Sequence, residues 1–404
     1  MKKTIALVGS FDTKGKEFEY VREILESHGV SVLTVDFGII GEPYFNPDVS
    51  RESVIESGGG DIGKFKSGKH KDEAMKAVTR GVENVVTRLF AAGEIDGIMG
   101  MGGSGGTSVV TAAMRALPVG VPKVMVSTVG GGDVSAYAGT KDIVFVPSIV
   151  DVAGLNRISR RIFANAAGAA AGMVSTQPRQ DTHTDQRLIA ASMFGNTTTA
   201  VSAASERLRE HGFETLIFHC TGIGGRTMES LIAERQVEGV LDITTTELAD
   251  FVCGGVFDAG QNRCLAAAMA GVPAVLVPGC VDMANFGSRD SVPQKYQDRL
   301  LYEWNPNVTL LRTNVDENTR IGEMIANAAN RSTAACAILL PLRGVSMLDS
   351  EGDRFWDPEA DAACFEAIKR KVRSDIPVIE LNHNINDAEF SSAATDQLLQ
   401  LIEQ

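Results

Sequence analysis

The sequence predicts an α/β fold built from two Rossmann-like, doubly wound parallel-sheet domains, apparently duplicated, and three observations carry that expectation. Short continuous apolar runs alternate with amphipathic stretches, as parallel strands covered by helices on both faces require. One order of strand, loop, helix and strand occurs twice along the chain. The composition is globular, with 404 residues, 44% hydrophobic, 22% charged and 41 glycines, a length that holds about two to three domains.

The elements follow in order. Thr4 to Val8 is a β-branched and apolar run that reads as a strand, followed by the loop Gly9-Ser10-Phe11-Asp12-Thr13 and a helix through Ser27. His28-Gly29 stops that helix, and Ser31 to Val35 reads as a second buried strand. Leu188 to Met193 begins the same order again. Its loop is Gly195-Asn196-Thr197-Thr198, its helix runs through Glu210, its stop is His211-Gly212, and Glu214 to His219 is its second strand. Further along, Gly120-Val121-Pro122 and Gly271-Val272-Pro273 each lead into an apolar run and a glycine-containing loop. Ser175 to Arg187 is polar without an apolar period and reads as the linker, giving domains at 1–180 and 187–404. Glu56 to Lys71, rich in Gly and Lys, reads as a surface excursion, with a flap as the alternative. Ala164 to Met173, which includes Gly168 and Gly172, is a helix so small-sided that another backbone is expected to approach it closely.

Charge and patterning exclude several classes. Lys plus Arg total 38 against 51 Asp plus Glu, a net charge of -13, which argues against a nucleic-acid binder held by counterion release. The long uncharged window from Gly97 to Met114 contains six glycines and predicts no membrane span. The apolar run Ile5 to Val8 is too short for a secretory signal, so a cytoplasmic protein is expected. Six cysteines without zinc-ribbon spacing read as reduced, mostly buried thiols. His219-Cys220 is no catalytic pair, because neighbours in a strand face opposite ways. No two histidines stand four apart as a helical zinc motif requires, and no tightly held metal is expected.

The strongest chemical signal is the segment from Asp96 to Ser108, a strand feeding a glycine loop that opens a helix at about Thr107. Gly102, Gly103, Gly105 and Gly106 surround Ser104, whereas a plain strand-to-helix turn needs one or two glycines, and each needless one costs roughly 0.5–1 kcal/mol. Bare amides at a helix N-terminus attract an anion, and Ser104, Thr107 and Ser108 offer hydroxyl donors. No lysine follows the last glycine, so this is not a P-loop, and Gly9 to Glu17 has the wrong spacing for one. Ligands of an open parallel sheet bind beyond the carboxyl ends of its strands. Asp12-Thr13-Lys14, Asp36, the loop from Gly102 to Thr107, and Ser127-Thr128 all follow expected strands and should share one rim. Their assigned roles are Asp36 as the sugar contact, the glycine loop as a triphosphate cradle, and Lys14 as counter-charge. The ligand implied is a nucleotide. Mg²⁺ is an optional companion, with Asp12 or Asp133 as candidate ligands.

These residues resemble the ATP-binding domain family named after the tomato protein that inhibits tomato mosaic virus RNA replication. The likeness spans essentially the whole chain and rests on six segments: Gly9 to Lys14, Gly102 to Ser108, Pro147 to Asp151, Pro278 to Met283, Asn305 to Thr309 and Asp357 to Asp361. It implies two Rossmann-like subdomains, ATP held by the Asp-Thr-Lys and Gly-Gly-Ser-Gly-Gly segments, and a homodimer. It implies no reaction, and the plant relative's C-terminal barrel is not expected here. In the second half, Arg226, Arg263, Arg289, Arg312 and Arg343 stand near strand ends and are candidates to hold a small anionic substrate in the inter-domain cleft. Salt bridges are the alternative for them. The leading expectation is an ATP-using enzyme. Its rivals are a non-catalytic ATP sensor that regulates a partner and, third, an NAD-type oxidoreductase.

Overall fold

A computed structural model describes residues 2–65, 71–176 and 186–404. Much of the expected linker, from 177 to 185, and residues 66–70 of the expected surface excursion lie outside the described residues. The chain divides into two compact units, Met1–Gln180 and Asp181–Gln404.

The first unit carries five parallel strands, β1 (Thr4–Gly9), β2 (Ser31–Asp36), β3 (Gly97–Gly102), β4 (Lys123–Ser127) and β5 (Val144–Pro147), in the order β2-β1-β3-β4-β5. Side chains alternate across β1 and feed two cores. Ile5 and Leu7 join Phe11, Phe18 and Leu25 of the helix Phe11–Ser27 and Phe163, Ala166 and Ala170 of the helix Arg157–Ser175. Ala6 and Val8 face the other way, toward Val82 and Val86 of the helix Lys71–Ala91 and Val109, Val110 and Met114 of the helix Ser104–Ala116. A fully buried Phe or Leu of this kind contributes about 1.5–3 kcal/mol over its exposed state.

The small-sided helix differs from expectation in one respect. Its alanines Ala166, Ala167, Ala170 and Ala171 make the buried face, whereas a Cβ added at Gly168 would meet only His28 Nε2 at 3.7 Å and one at Gly172 nothing within 4 Å. Among the described residues of this unit, no backbone outside the helix itself closes on the glycines.

The second unit holds β6 (Arg187–Met193), β7 (Phe213–His219), β8 (Gly239–Thr244), β9 (Ala274–Gly279), β10 (Met283–Phe286), β11 (Leu301–Asn305), β12 (Val308–Arg312), β13 (Cys336–Pro341) and β14 (Val378–Leu381). Six of them form a parallel sheet in the order β14-β13-β9-β8-β6-β7. Counted from its own first strand, its first five follow the order 2-1-3-4-5 of the first unit, and a sixth is added at the edge. An antiparallel sheet, β10-β12-β11, is inserted between β9 and β13.

The repeated motifs occupy equivalent places. His28 and His211 are the last-turn caps of the first helix of each unit, and Gly29 and Gly212 follow at φ of 81° and 82°, the left-handed turn that favours glycine. Gly-Val-Pro precedes β4 in one unit and β9 in the other, each the fourth strand of its sheet.

Candidate functional site

The strand order of the first unit reverses between β1 and β3, and a doubly wound sheet opens its ligand crevice at the carboxyl ends of such a pair. β3 ends at Gly102, Gly103 caps the next helix in extended conformation, and that helix starts at Ser104. The expected start near Thr107 is therefore three residues late, because Ser104, Gly105 and Gly106 already form the first turn. Their N–H groups belong to the set that an α-helix leaves without intrahelical partners. An open depression of about 450 Å³ lies here, lined by Gly103, Ser104, Thr128, Ser148, Ile149, Val150 and Asp151.

The glycines separate into two kinds. Gly102 is needed for packing, since a Cβ there would come within 3.1 Å of the Gly106 Cα. The other three are not: a Cβ would meet only Thr128 Oγ1 at 3.8 Å from Gly103, nothing within 4 Å from Gly105, and only the Met101 carbonyl at 3.6 Å from Gly106. None of the three has a positive φ. Neither packing nor backbone conformation explains them.

Several expected roles change. The Thr107 hydroxyl is fully buried and bonds the Ser127 hydroxyl at 2.7 Å, which pins the helix to β4 and removes Thr107 from the donors facing solvent. Asp36 is sealed from solvent, and its Oδ1 accepts from the N–H groups of Phe11 and Gly38, both at 2.9 Å. Burial, followed by the charge of Asp12, pushes its carboxyl up despite those two bonds. A side chain so enclosed offers no face to a ribose. Lys14 Nζ donates to the Val152 carbonyl at 2.7 Å, and Asp12 Oδ2 accepts from the N–H groups of Ile40 and Gly41 at 2.8 and 3.1 Å. Both residues clasp rim loops. Thr13 between them is exposed. Of this triad, Asp36, Gly102, Gly105, Gly106 and Thr107, none lines the depression, whereas Gly103, Ser104 and Thr128 do.

Sequence reasoning missed Ser148, Ile149 and Asp151 as site residues, although Pro147 to Asp151 stood among the segments of resemblance. Ile149 is 76% exposed and sits at φ of 62°, an outlier for a β-branched residue of the kind that concentrates at ligand-binding rims. The Ser135 hydroxyl, followed by the Ser135 N–H that donates to Asp133 Oδ1 at 2.9 Å, holds the Asp133 carboxyl below the ordinary range, and Asp133 does not line the depression either. Among the described residues, no group of three or more His, Cys, Asp or Glu is arranged to hold a metal ion.

Two arginines of the second unit that were candidates for an anionic substrate are already saturated. Arg263 is buried and reaches both oxygens of Asp242 at 2.5 and 2.7 Å, Glu247 at 2.7 Å and Glu229 at 3.1 Å. Arg312 bonds Asp361 at 2.8 Å and the Phe355 carbonyl at 2.7 Å. A guanidinium so committed has no fork left for a ligand. Arg289 bonds the Gln297 side chain, Arg343 bonds Asn382 at 2.9 Å, and Arg226 is exposed. All six cysteines are buried and free. Burial pushes the Cys220 thiol up, which suits a structural residue.

The acids around Arg312 carry a pH consequence. Burial, followed by the charge of Asp349, pushes Asp282 up to about 7, and the same two causes raise Asp361 further. In an unfolded chain both titrate near about 3.9. Above that pH the folded state keeps protons that the unfolded state has released, so this contribution is complete below about pH 4 and declines as pH rises through the folded values. Asp282→Asn, which resembles the protonated form, should unfold at a urea midpoint that gains on wild type between pH 5 and pH 8. Parallel midpoints across that range would rule out the protonated Asp282.

A family model described as Uncharacterised protein family (UPF0261) N-terminal domain matches residues 3–179, and its C-terminal counterpart matches residues 186–402. The chain belongs to this family. A UPF0261 protein of Clostridium tetani is 43% identical over 405 residues, covering 100% of both chains. One from Rhizobium meliloti is 45% identical over 395 residues and 97% of each. The ToMV susceptible protein tm-1(GCR26) of Solanum lycopersicum is 36% identical over 98% of this chain, which spans only 55% of the tomato protein. These matches bear out the resemblance drawn from the motifs. Among solved structures, UDP-N-acetylglucosamine 2-epimerase from Rickettsia bellii covers 100% of the chain at 10% identity with a TM-score of 0.26, too distant to bear on function. No helix among the described residues is long and apolar enough to cross a membrane.

Proposed function

We propose that the first unit binds a nucleoside polyphosphate, ATP, with its phosphates against the N-terminus of the helix Ser104–Ala116. The observation that carries this reading is the set of three glycines, Gly103, Gly105 and Gly106, that neither packing nor φ requires. Two of them lie in a helical turn, where each costs about 0.5–1 kcal/mol relative to alanine, and a phosphate seated on bare amides offsets that cost. Ser104 and Thr128 line the depression together with Gly103 and supply hydroxyls. Lys14 and Asp12 act at one remove in this reading, by holding the rim loops. The choice of ATP rests on the family resemblance of the glycine and Asp-Thr-Lys segments.

Asp151 is the one acidic residue among the described residues that line the depression and is exposed, so it takes over from Asp12 and Asp133 as the candidate to meet Mg²⁺ on the phosphates. Asp151→Asn is expected to weaken binding of ATP with Mg²⁺ while leaving or strengthening that of metal-free ATP. Equal changes in both titrations would remove Asp151 from the role.

Calorimetric titration with ATP, ADP and NAD, each with and without Mg²⁺, tests the proposal directly. Saturable binding of ATP in preference to NAD is the expected result, and no heat with any of the three would end it. A second reading, in which ATP is sensed rather than consumed, has one observation in its favour. Asp151 is the one titratable side chain among the described residues that line the depression, so phosphoryl transfer would need its base from elsewhere. Release of phosphate in proportion to enzyme would overturn the sensor. A ligand-dependent change of oligomeric state without turnover would support it.

A further inference from the structure

The second unit contains a slot unlike the open depression of the first. It holds about 130 Å³, below the roughly 300–1,000 Å³ of a drug-sized site, and is lined by Phe194, Gly195, Asn196, His219, Trp304, Val308 and Leu310. Phe194 follows β6 and His219 ends β7, so the floor lies at the carboxyl ends of parallel strands, where this class of sheet takes its ligands. Trp304 on β11, with Val308 and Leu310 on β12, brings the inserted antiparallel sheet to the same slot.

The walls are mostly aromatic. The His219 ring stacks on Phe194 with centroids 5.5 Å apart and planes at 24°, and Phe257 meets the Phe194 ring edge-on at 6.2 Å. Trp304 is 45% exposed, a large apolar surface left in water at the mouth of a slot. The polar group is more telling. Asn196 is 3% exposed, and its Oδ1 has no hydrogen-bond partner among the described residues. Its Nδ2 donates to Met283 Sδ at 3.1 Å, and a thioether only accepts, so this contact fixes which atom of the amide is the oxygen. A buried acceptor left without a donor is costly, and nearly all such atoms in folded proteins have a partner.

We infer that this slot binds a planar heteroaromatic ring that presents an N–H donor, its faces against Phe194, His219 and Trp304 and its N–H on Asn196 Oδ1. A planar ring matches the volume and the stacking surfaces, and the donor satisfies the buried acceptor of a slot-lining residue that has no partner among the described residues. The site is separate from the glycine depression and does not depend on the nucleotide reading.

The test uses two rings of nearly the same shape, benzimidazole, which carries an N–H, and benzoxazole, which has oxygen there. Saturation-transfer NMR titration of the full chain at about pH 8 should give saturable binding, about tenfold tighter for benzimidazole. Asn196→Leu should bring the two affinities together by weakening benzimidazole. Trp304→Ala, a change at the exposed mouth that leaves the core intact, should weaken both rings, while Gly105→Val should change neither. Saturable binding of neither ring, equal affinities in wild type, or an unchanged titration in Trp304→Ala would each overturn the inference.

Discussion

Titration of Gly105→Val with ATP is expected to give no heat of binding, while its circular dichroism and melting stay close to wild type. Gly105 has an ordinary φ, and an added Cβ meets nothing within 4 Å, so valine is accommodated without moving a neighbour. Helix propensity at the first turn changes by only a few tenths of a kcal/mol, in favour of valine over glycine. The branched side chain instead occupies the space a phosphate needs above the amides. Losing two charge-assisted hydrogen bonds removes on the order of 3 kcal/mol, which is more than a hundredfold in Kd. Gly103→Val should act alike, since its Cβ points toward Thr128 across the depression. A folded Gly105→Val protein that binds ATP as well as wild type would remove the helix N-terminus from the site.

The second large effect is expected on stability. Arg263→Met should lower the urea midpoint of the second unit by an amount equivalent to about 3–5 kcal/mol, the usual result of deleting one member of a buried ion cluster. Domain stabilities run at about 5–15 kcal/mol, so the variant will sit close to unfolding. Asp242, Glu247 and Glu229 all face this single guanidinium, and the hydroxyl of Ser192 adds a bond to Asp242 at 2.6 Å. Without Arg263 two buried carboxylates, Asp242 and Glu247, and the half-buried Glu229 lose their common counter-charge. Arg263→Lys should rescue little, because one ammonium cannot span the two oxygens of Asp242 and reach Glu247 as well. Both tryptophans, Trp304 and Trp356, belong to the second unit, so their emission follows its unfolding. A midpoint within about 0.5 kcal/mol of wild type would mean that the cluster adds nothing net.

The alternation of strands and helices was legible because burial on both faces writes continuous apolar runs into strands such as Ile5 to Val8. The paired His-Gly stops and Gly-Val-Pro entries marked equivalent turns, and both units share one strand order. The inserted sheet was not legible, since a short antiparallel ribbon such as Leu301–Asn305 has little periodicity to declare it. At the site, the glycines around Ser104 stood out because their number exceeded what a turn requires. Charged residues at strand ends could not be told from ligand contacts for a common reason. Lys14 finds the Val152 carbonyl 138 residues away and Arg312 finds Asp361 49 residues away, and local sequence reads the same whether the partner is a ligand or a distant buried group. The partners of Asp36 and Thr107 were hidden on the same ground, Phe11 and Ser127 being brought to them only by the fold.

The six buried cysteines, Cys220 through Cys364, all fall in the second unit, and the first has none. Burial pushes Cys253 and Cys336 up to about 12, so these thiols are scarcely ionised at neutral pH as well as shielded from reagents. Native protein should therefore ignore a maleimide, and every adduct should record an opening of one half of the molecule. Counting adducts by mass against time in mild urea would date those openings, with no label, no engineered reporter and no signal from the glycine-bearing half.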